Sequence, residues 1–169
     1  DDISILETSM SLRQSYKHLL LLTGDYNNPE LLKLEFLRDD SLTDTFKLYV
    51  VSLLPDDSAY DVYLSKSDAT FDDATLTATL NYSQISSALE FDSGNYIIYI
   101  TAAGSRDILF QSSKYNFQYL TEYVLVPRIA SGPLAGNIAV DVINNTTTVG
   151  NLTDLTAQAQ FRLYNSIDS

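Results

Sequence analysis

From Leu32 to Phe36 the chain alternates apolar and charged positions, with Leu32, Leu34 and Phe36 on one side and Lys33 and Glu35 on the other. A period of two is what a strand with one buried face requires. The pattern recurs. Phe46, Leu48 and Val50 share a face in Phe46-Lys47-Leu48-Tyr49-Val50-Val51, and Tyr60, Val62 and Leu64 alternate with Asp61 and Tyr63. Leu76, Ala78 and Leu80 alternate with Thr75, Thr77 and Thr79, which predicts an inward apolar row and a wet threonine row. Ile138, Val140 and Val142 flank Asp141, and Ala159, Phe161 and Leu163 alternate with Gln160 and Arg162. Turn signals separate these runs: Gly24-Asp25-Tyr26-Asn27-Asn28-Pro29, Leu54-Pro55-Asp56-Asp57, Asp92-Ser93-Gly94-Asn95 and Ala103-Gly104-Ser105. No long stretch carries a clear 3.6-residue period. A single helical turn is expected only after Pro29 or across Ser83 to Ala88. The expected fold class is all-β, an Ig-like antiparallel β-sandwich of tandem-repeat type.

The chain also repeats itself. Phe46-Lys47-Leu48-Tyr49 returns as Phe161-Arg162-Leu163-Tyr164, an offset of 115 residues. Met10, with Tyr16 and the apolar run to Leu22 behind it, resembles Phe117 with Tyr123 and Val124 to Val126, an offset of 107. Leu32 to Phe36 matches Ile138 to Val142 at 106. The matches keep their order, and the change of offset falls between Asn144 and Thr156, which is read as a polar connection where extra length costs little. On this phase, residues 46–144 form one complete repeat. Residues 1–45 are trailing strands of a preceding repeat, packed on the next unit. Residues 145–169 are a linker and the first strand of a following repeat. Half a sandwich cannot cover its own apolar face, so the N-terminal strands are expected to dock.

These runs carry a family resemblance. Phe46-Lys47-Leu48-Tyr49-Val50-Val51-Ser52-Leu53-Leu54-Pro55-Asp56-Asp57-Ser58-Ala59-Tyr60-Asp61-Val62-Tyr63-Leu64 resembles the opening of the bacterial "domain of unknown function 4397" family: a strand, a Pro-Asp turn, then an Asp-Val-Tyr strand. Gly94 to Gly104 and Thr121 to Val126 are similar to its second half. Where that family usually has His-Ala-Ser before the turn, this chain has Val51-Ser52-Leu53. The resemblance implies an exported bacterial domain with an Ig-like sandwich, often in tandem, and brings no catalytic residues with it.

Composition narrows the chemistry. The 169 residues carry 22 acidic against 10 basic side chains, a net charge of −12. Seventeen of the acids are Asp, which suits turns more than regular structure. Such a charge disfavours nucleic acid and anionic membrane surfaces, both of which need clustered Lys and Arg. There is no cysteine, which removes disulfides and thiolate chemistry. The apolar runs, such as Leu19 to Leu22, are far below the roughly 20 residues of a membrane helix, so no membrane insertion is expected. Asp1-Asp2-Ile3 shows no basic leader, so a processed or cut start is expected.

Catalytic motifs are missing: G-x-S-x-G, P-loop and G-x-G-x-x-G do not occur. His18, the single histidine, stands in the predicted strand Tyr16 to Leu22 and reads as structural. Two acidic clusters, Asp56-Asp57-Asp61 and Asp68-Asp72-Asp73, are the calcium candidates, because calcium takes six to eight oxygens from flexible loops. Neither has EF-hand spacing, so the simpler reading is that these Asp end strands and solvate loops. Tyr49, Tyr63, Tyr96 and Tyr99 could stack on sugars but sit where cross-strand packing explains them. Asn81-Tyr82-Ser83 and the other Asn-x-Ser/Thr triplets read as loop polarity. The expected function is that of a non-catalytic structural or interaction module of an exported cell-envelope protein, with neighbouring repeats as partners and no cofactor. The alternative is a ligand-binding module for glycan or calcium through Asp-rich loops and exposed Tyr.

Overall fold

The computed structural model describes residues 6–38, 42–55, 58–144 and 147–157. Its chain opens with two ten-residue strands, β1 (Tyr16–Asp25) and β2 (Asn28–Leu37), paired antiparallel from Tyr16–Leu37 to Asp25–Asn28. Asp25 shapes the turn: its Oδ1 accepts the N–H groups of Asn27 and Asn28, both at 2.8 Å. Gly24 is required beside it. Its φ is +84°, and a Cβ there would lie 2.3 Å from the Asn28 carbonyl oxygen. Pro29 therefore belongs to a strand. The helical turn expected after it does not form, because β1 offers β2 a complete register partner.

Two larger sheets follow. The first contains β3 (Thr45–Val50), β6 (Leu89–Asp92), β10 (Glu122–Ile129), β11 (Ile138–Ile143) and β12 (Gly150–Thr153), in the order β12-β11-β10-β3-β6. Its pairs are antiparallel except β3 with β10, which run parallel with Leu48 opposite Tyr123. Pro127 is tolerated inside β10 because its missing N–H points to the β3 side beyond the end of that ladder. There the Leu53 N–H donates to the Pro127 carbonyl at 2.8 Å.

The second sheet runs β5 (Thr75–Leu80), β4 (Tyr60–Lys66), β7 (Gly94–Ala102), β8 (Ile108–Gln111), with β9 (Tyr115–Phe117) paired to the start of β7. Short 3-10 turns occupy Phe71–Asp73 and Gly132–Leu134. The architecture is all-β, and the two sheets face one another. Between them lie Phe46, Leu48, Val50, Tyr123, Leu125, Val140 and Val142 from one sheet and Val62, Leu64, Ile98, Ile100, Phe110 and Phe117 from the other. Phe46 is fully buried at the centre, stacked on Phe117 at 4.7 Å and edge-on to Tyr123 at 5.7 Å.

The hairpin makes a third layer. Leu34 and Phe36, with Leu19, Leu21 and Leu32, pack on Val51, Val124 and Val126, the back of the first sheet. Both faces of β10 are thus covered, which explains the near-continuous apolar run Tyr123-Val124-Leu125-Val126.

Several expectations are corrected. Leu76 is 47% exposed. β5 carries an extra residue where it passes Val62 and Tyr63, so Ala78 faces Val62 while Leu76 faces Tyr63 on the outer side. Ser83 to Ala88 is irregular strand edge, not helix: Ile85 bridges Val51, and the Ser86 N–H donates to the Val50 carbonyl at 2.9 Å. Within the stretch read as polar connection, Gly150–Thr153 is strand β12, which buries Leu152 beside Val140. The Ala159 to Leu163 alternation and the Phe161-to-Tyr164 match lie outside the described residues.

Candidate functional site

The Asp candidates separate into distinct surroundings. Asp61 on β4 is only 4% exposed. Its carboxylate accepts Thr79 Oγ1 at 2.5 Å, the Gly104 N–H at 2.8 Å and the Tyr63 hydroxyl at 3.3 Å. Three donors from three elements use most of its acceptor capacity. Its work is to hold β5 and the Ala103-Gly104 turn against β4.

Asp68, Asp72 and Asp73 lie in the loop after β4, all exposed. Asp73 caps the 3-10 turn, accepting Thr70 Oγ1 at 2.9 Å and the Thr70 N–H at 3.3 Å. Asp72 pairs with Arg106. That guanidinium sits 4.4 Å over the Phe71 ring, and Phe71 in turn inserts between Tyr63 (5.2 Å) and Tyr99 (5.0 Å). Burial pushes the Tyr99 phenol up from its ordinary value. Asp56 and Asp57 lie outside the described residues. Among the described residues no three Asp, Glu or His side chains converge as a metal site would require.

The tyrosines named as sugar-stacking candidates are mostly engaged in packing. Tyr96 and Tyr99 are buried, with the Tyr96 hydroxyl donating to the Asp92 carbonyl at 2.7 Å. Tyr49 packs edge-on against Phe36 at 4.9 Å under the hairpin. Among the described residues Tyr26 and Tyr119, at 70% and 53% exposure, are the open tyrosines.

The residues that single out a working surface are those fixing the hairpin. At one end Lys17 Nζ meets Glu122 Oε2 at 2.6 Å, with the Glu122 side chain only 9% exposed. At the other, the Tyr82 hydroxyl bonds Thr23 Oγ1 at 2.8 Å and accepts the Gly24 N–H at 3.0 Å. Beside the ion pair, Lys17, His18, Phe36, Glu122, Val124 and Ile143 line a cavity of about 120 Å³. That is below the roughly 300 Å³ at which small-molecule pockets begin, and it suits a few waters. The sequence held a signal for this ion pair: Lys17 and Glu122 are lone charges beside apolar strand runs.

On the hairpin's other face His18 Nε2 donates to the Arg13 carbonyl at 3.2 Å, and its Nδ1 lies 3.3 Å from Glu35 Oε1. The Glu35 carboxyl is held below its ordinary value, first by its hydrogen bond to Lys33 and then by the charges of Lys33 and Arg13. Lys33 Nζ also donates to the Ser11 carbonyl at 2.8 Å, so the segment before β1 lies over the polar half of this face. The leucines beyond it stay open: Leu20 at 44%, Leu22 at 60% and Leu37 at 46%. No family model and no curated protein matches this chain.

Proposed function

We propose that this chain is a structural and interaction module of an exported bacterial cell-envelope protein, an Ig-like sandwich unit in a tandem array. The observation that carries this reading is the anchored hairpin. It covers the back of one sandwich sheet with one face and displays leucines on the other, as an element shared between neighbouring units would. The sequence match of Leu32 to Phe36 with Ile138 to Val142 supports it, because both segments are second strands of consecutive antiparallel pairs, β1–β2 and β10–β11. The resemblance to the domain of unknown function 4397 points the same way. The aspartates also favour a mechanical role. Asp61, Asp73 and Asp141 are occupied in fixing backbone and strands, Asp141 with a two-point bond to Arg128 at 2.6 and 3.0 Å and Asn151 at 2.7 Å.

Calcium titration calorimetry and a glycan array test this reading. A structural module gives no saturable heat, no rise in melting temperature with calcium and no glycan spots. Saturable calcium heat with a raised melting temperature, or a reproducible glycan signal, would overturn it in favour of a ligand-binding module.

A further inference from the structure

Where the hairpin meets the first sheet, an amine, a carboxylate and a carboxamide surround one small cavity. Lys17 Nζ lies 2.6 Å from Glu122 Oε2, and the Glu122 side chain is only 9% exposed. Asn144, the residue directly after β11, lines the same cavity of about 120 Å³ as that pair. Leu19, Phe36, Val124 and Ile143 supply apolar wall. Three strands converge here: Lys17 lies on β1, Glu122 opens β10 and Asn144 follows β11. Lys47 on β3 also stands opposite Glu122 in the ladder, but it is Lys17 that shares the cavity with Asn144. A primary amine beside a proton acceptor can act as a nucleophile, and a carboxamide is an acyl group whose leaving group is ammonia. Enclosure in so small a space raises their effective concentration, and apolar walls keep bulk water from competing for the acyl carbon.

We infer that Lys17 and Asn144 form a self-modification site, at which the chain joins these two side chains by an isopeptide bond while Glu122 carries the protons. Glu122 takes one proton from the Lys17 ammonium. The freed lone pair on Nζ adds to Cγ of Asn144, and a second Nζ proton passes to Nδ2 along the same carboxyl group. The Cγ–Nδ2 bond then breaks, and an Nζ–Cγ amide remains. Ammonia departs and takes up the proton still held on Glu122, which returns to carboxylate. Nothing is oxidised or reduced, and no co-reactant is needed. The product ties β1 to the end of β11, so the hairpin layer can no longer peel from the sheet it covers.

Intact-mass spectrometry of the whole folded chain, sprayed from denaturant, tests it. The mass is expected to fall below that of the sequence by about 17 Da, the mass of ammonia. Fragmentation of a protease digest should find the peptides of Lys17 and Asn144 joined. Lys17→Arg keeps a cation beside Glu122 but offers no amine, and should give its full sequence mass with an unchanged circular dichroism spectrum and a lower melting temperature. Asn144→Ala and Glu122→Gln should also appear at full mass. A parent chain at its full sequence mass overturns the inference. So does a deficit that persists in Lys17→Arg, which would mark ring closure of an asparagine on its own backbone, or a bond mapped to Lys47. A deficit of about 18 Da, the mass of water, would place the bond on Glu122 itself and overturn it equally. The bond does not depend on the module reading: calcium or glycan binding would sink that reading and leave the mass deficit in place.

Discussion

At the scale of single residues, the structure separates side chains that look alike in the sequence. Phe46 and Phe91 both lie on strands, yet Phe46 is fully enclosed by Phe91, Tyr96, Phe117 and Tyr123. Phe46→Ala is expected to cost about 3–5 kcal/mol, the range for deleting a large buried aromatic, read as a fall in urea midpoint. Titration adds two tests. The folded-state pKa of Glu35 is lowered, so it stabilises above the ordinary carboxylate value, near pH 4, and that stability is lost as pH falls through the folded value. Glu35→Gln should therefore show a shallower loss of stability on acidification than the parent. Tyr99 and Tyr115 are raised by burial, Tyr115 also by its neighbour Tyr123. Their neutral forms stabilise the fold below about pH 10, and that contribution is lost as pH rises through their folded values. In an alkaline absorbance titration, Tyr99→Phe should remove late-ionising amplitude and leave the earlier tyrosines in place.

At the scale of elements, the hairpin is the instructive case. An isolated two-stranded ribbon is marginal in water, so β1 and β2 persist because Leu34 and Phe36 bury against Val51, Val124 and Val126. Its two polar anchors should be separable. Tyr82→Phe removes the bonds to Thr23 and Gly24 and should weaken the tip by about 0.5–1.5 kcal/mol per bond. Hydrogen exchange would show faster opening near Gly24 and little change in β3 or β10. Lys17→Met leaves Glu122 without its partner in a mostly buried place and should speed exchange at the opposite end. A variant that loosened sandwich and hairpin equally would show that the hairpin is not a separate layer. The short strands were the hardest to read from sequence. β6, β8, β9 and β12 are three or four residues each, too short for alternation to register. The surroundings of Asp61 and Asp72 were equally hidden, because Thr79, Gly104 and Arg106 reach them from other parts of the chain.

At the scale of the whole molecule, the parallel pairing of β3 with β10 sets the folding problem. Lys47 lies opposite Glu122, and the entire second sheet is traversed between them. Loop closure of that length must precede the contacts that reward it, so refolding is expected in milliseconds to seconds, not microseconds, in a stopped-flow experiment. Period-two alternation alone determined that the protein is all-β and located strands around Leu32, Phe46, Tyr60, Leu80 and Ile138, because burial of one strand face is written locally. The tertiary structure alone decided that the back of the β3–β10 sheet is covered by the hairpin, that an extra residue in β5 turns Leu76 outward, and that Asp61 is a strut while Asp68 faces water. Each of those depends on which distant residue arrives at the same place, and spacing along the chain carries no record of it.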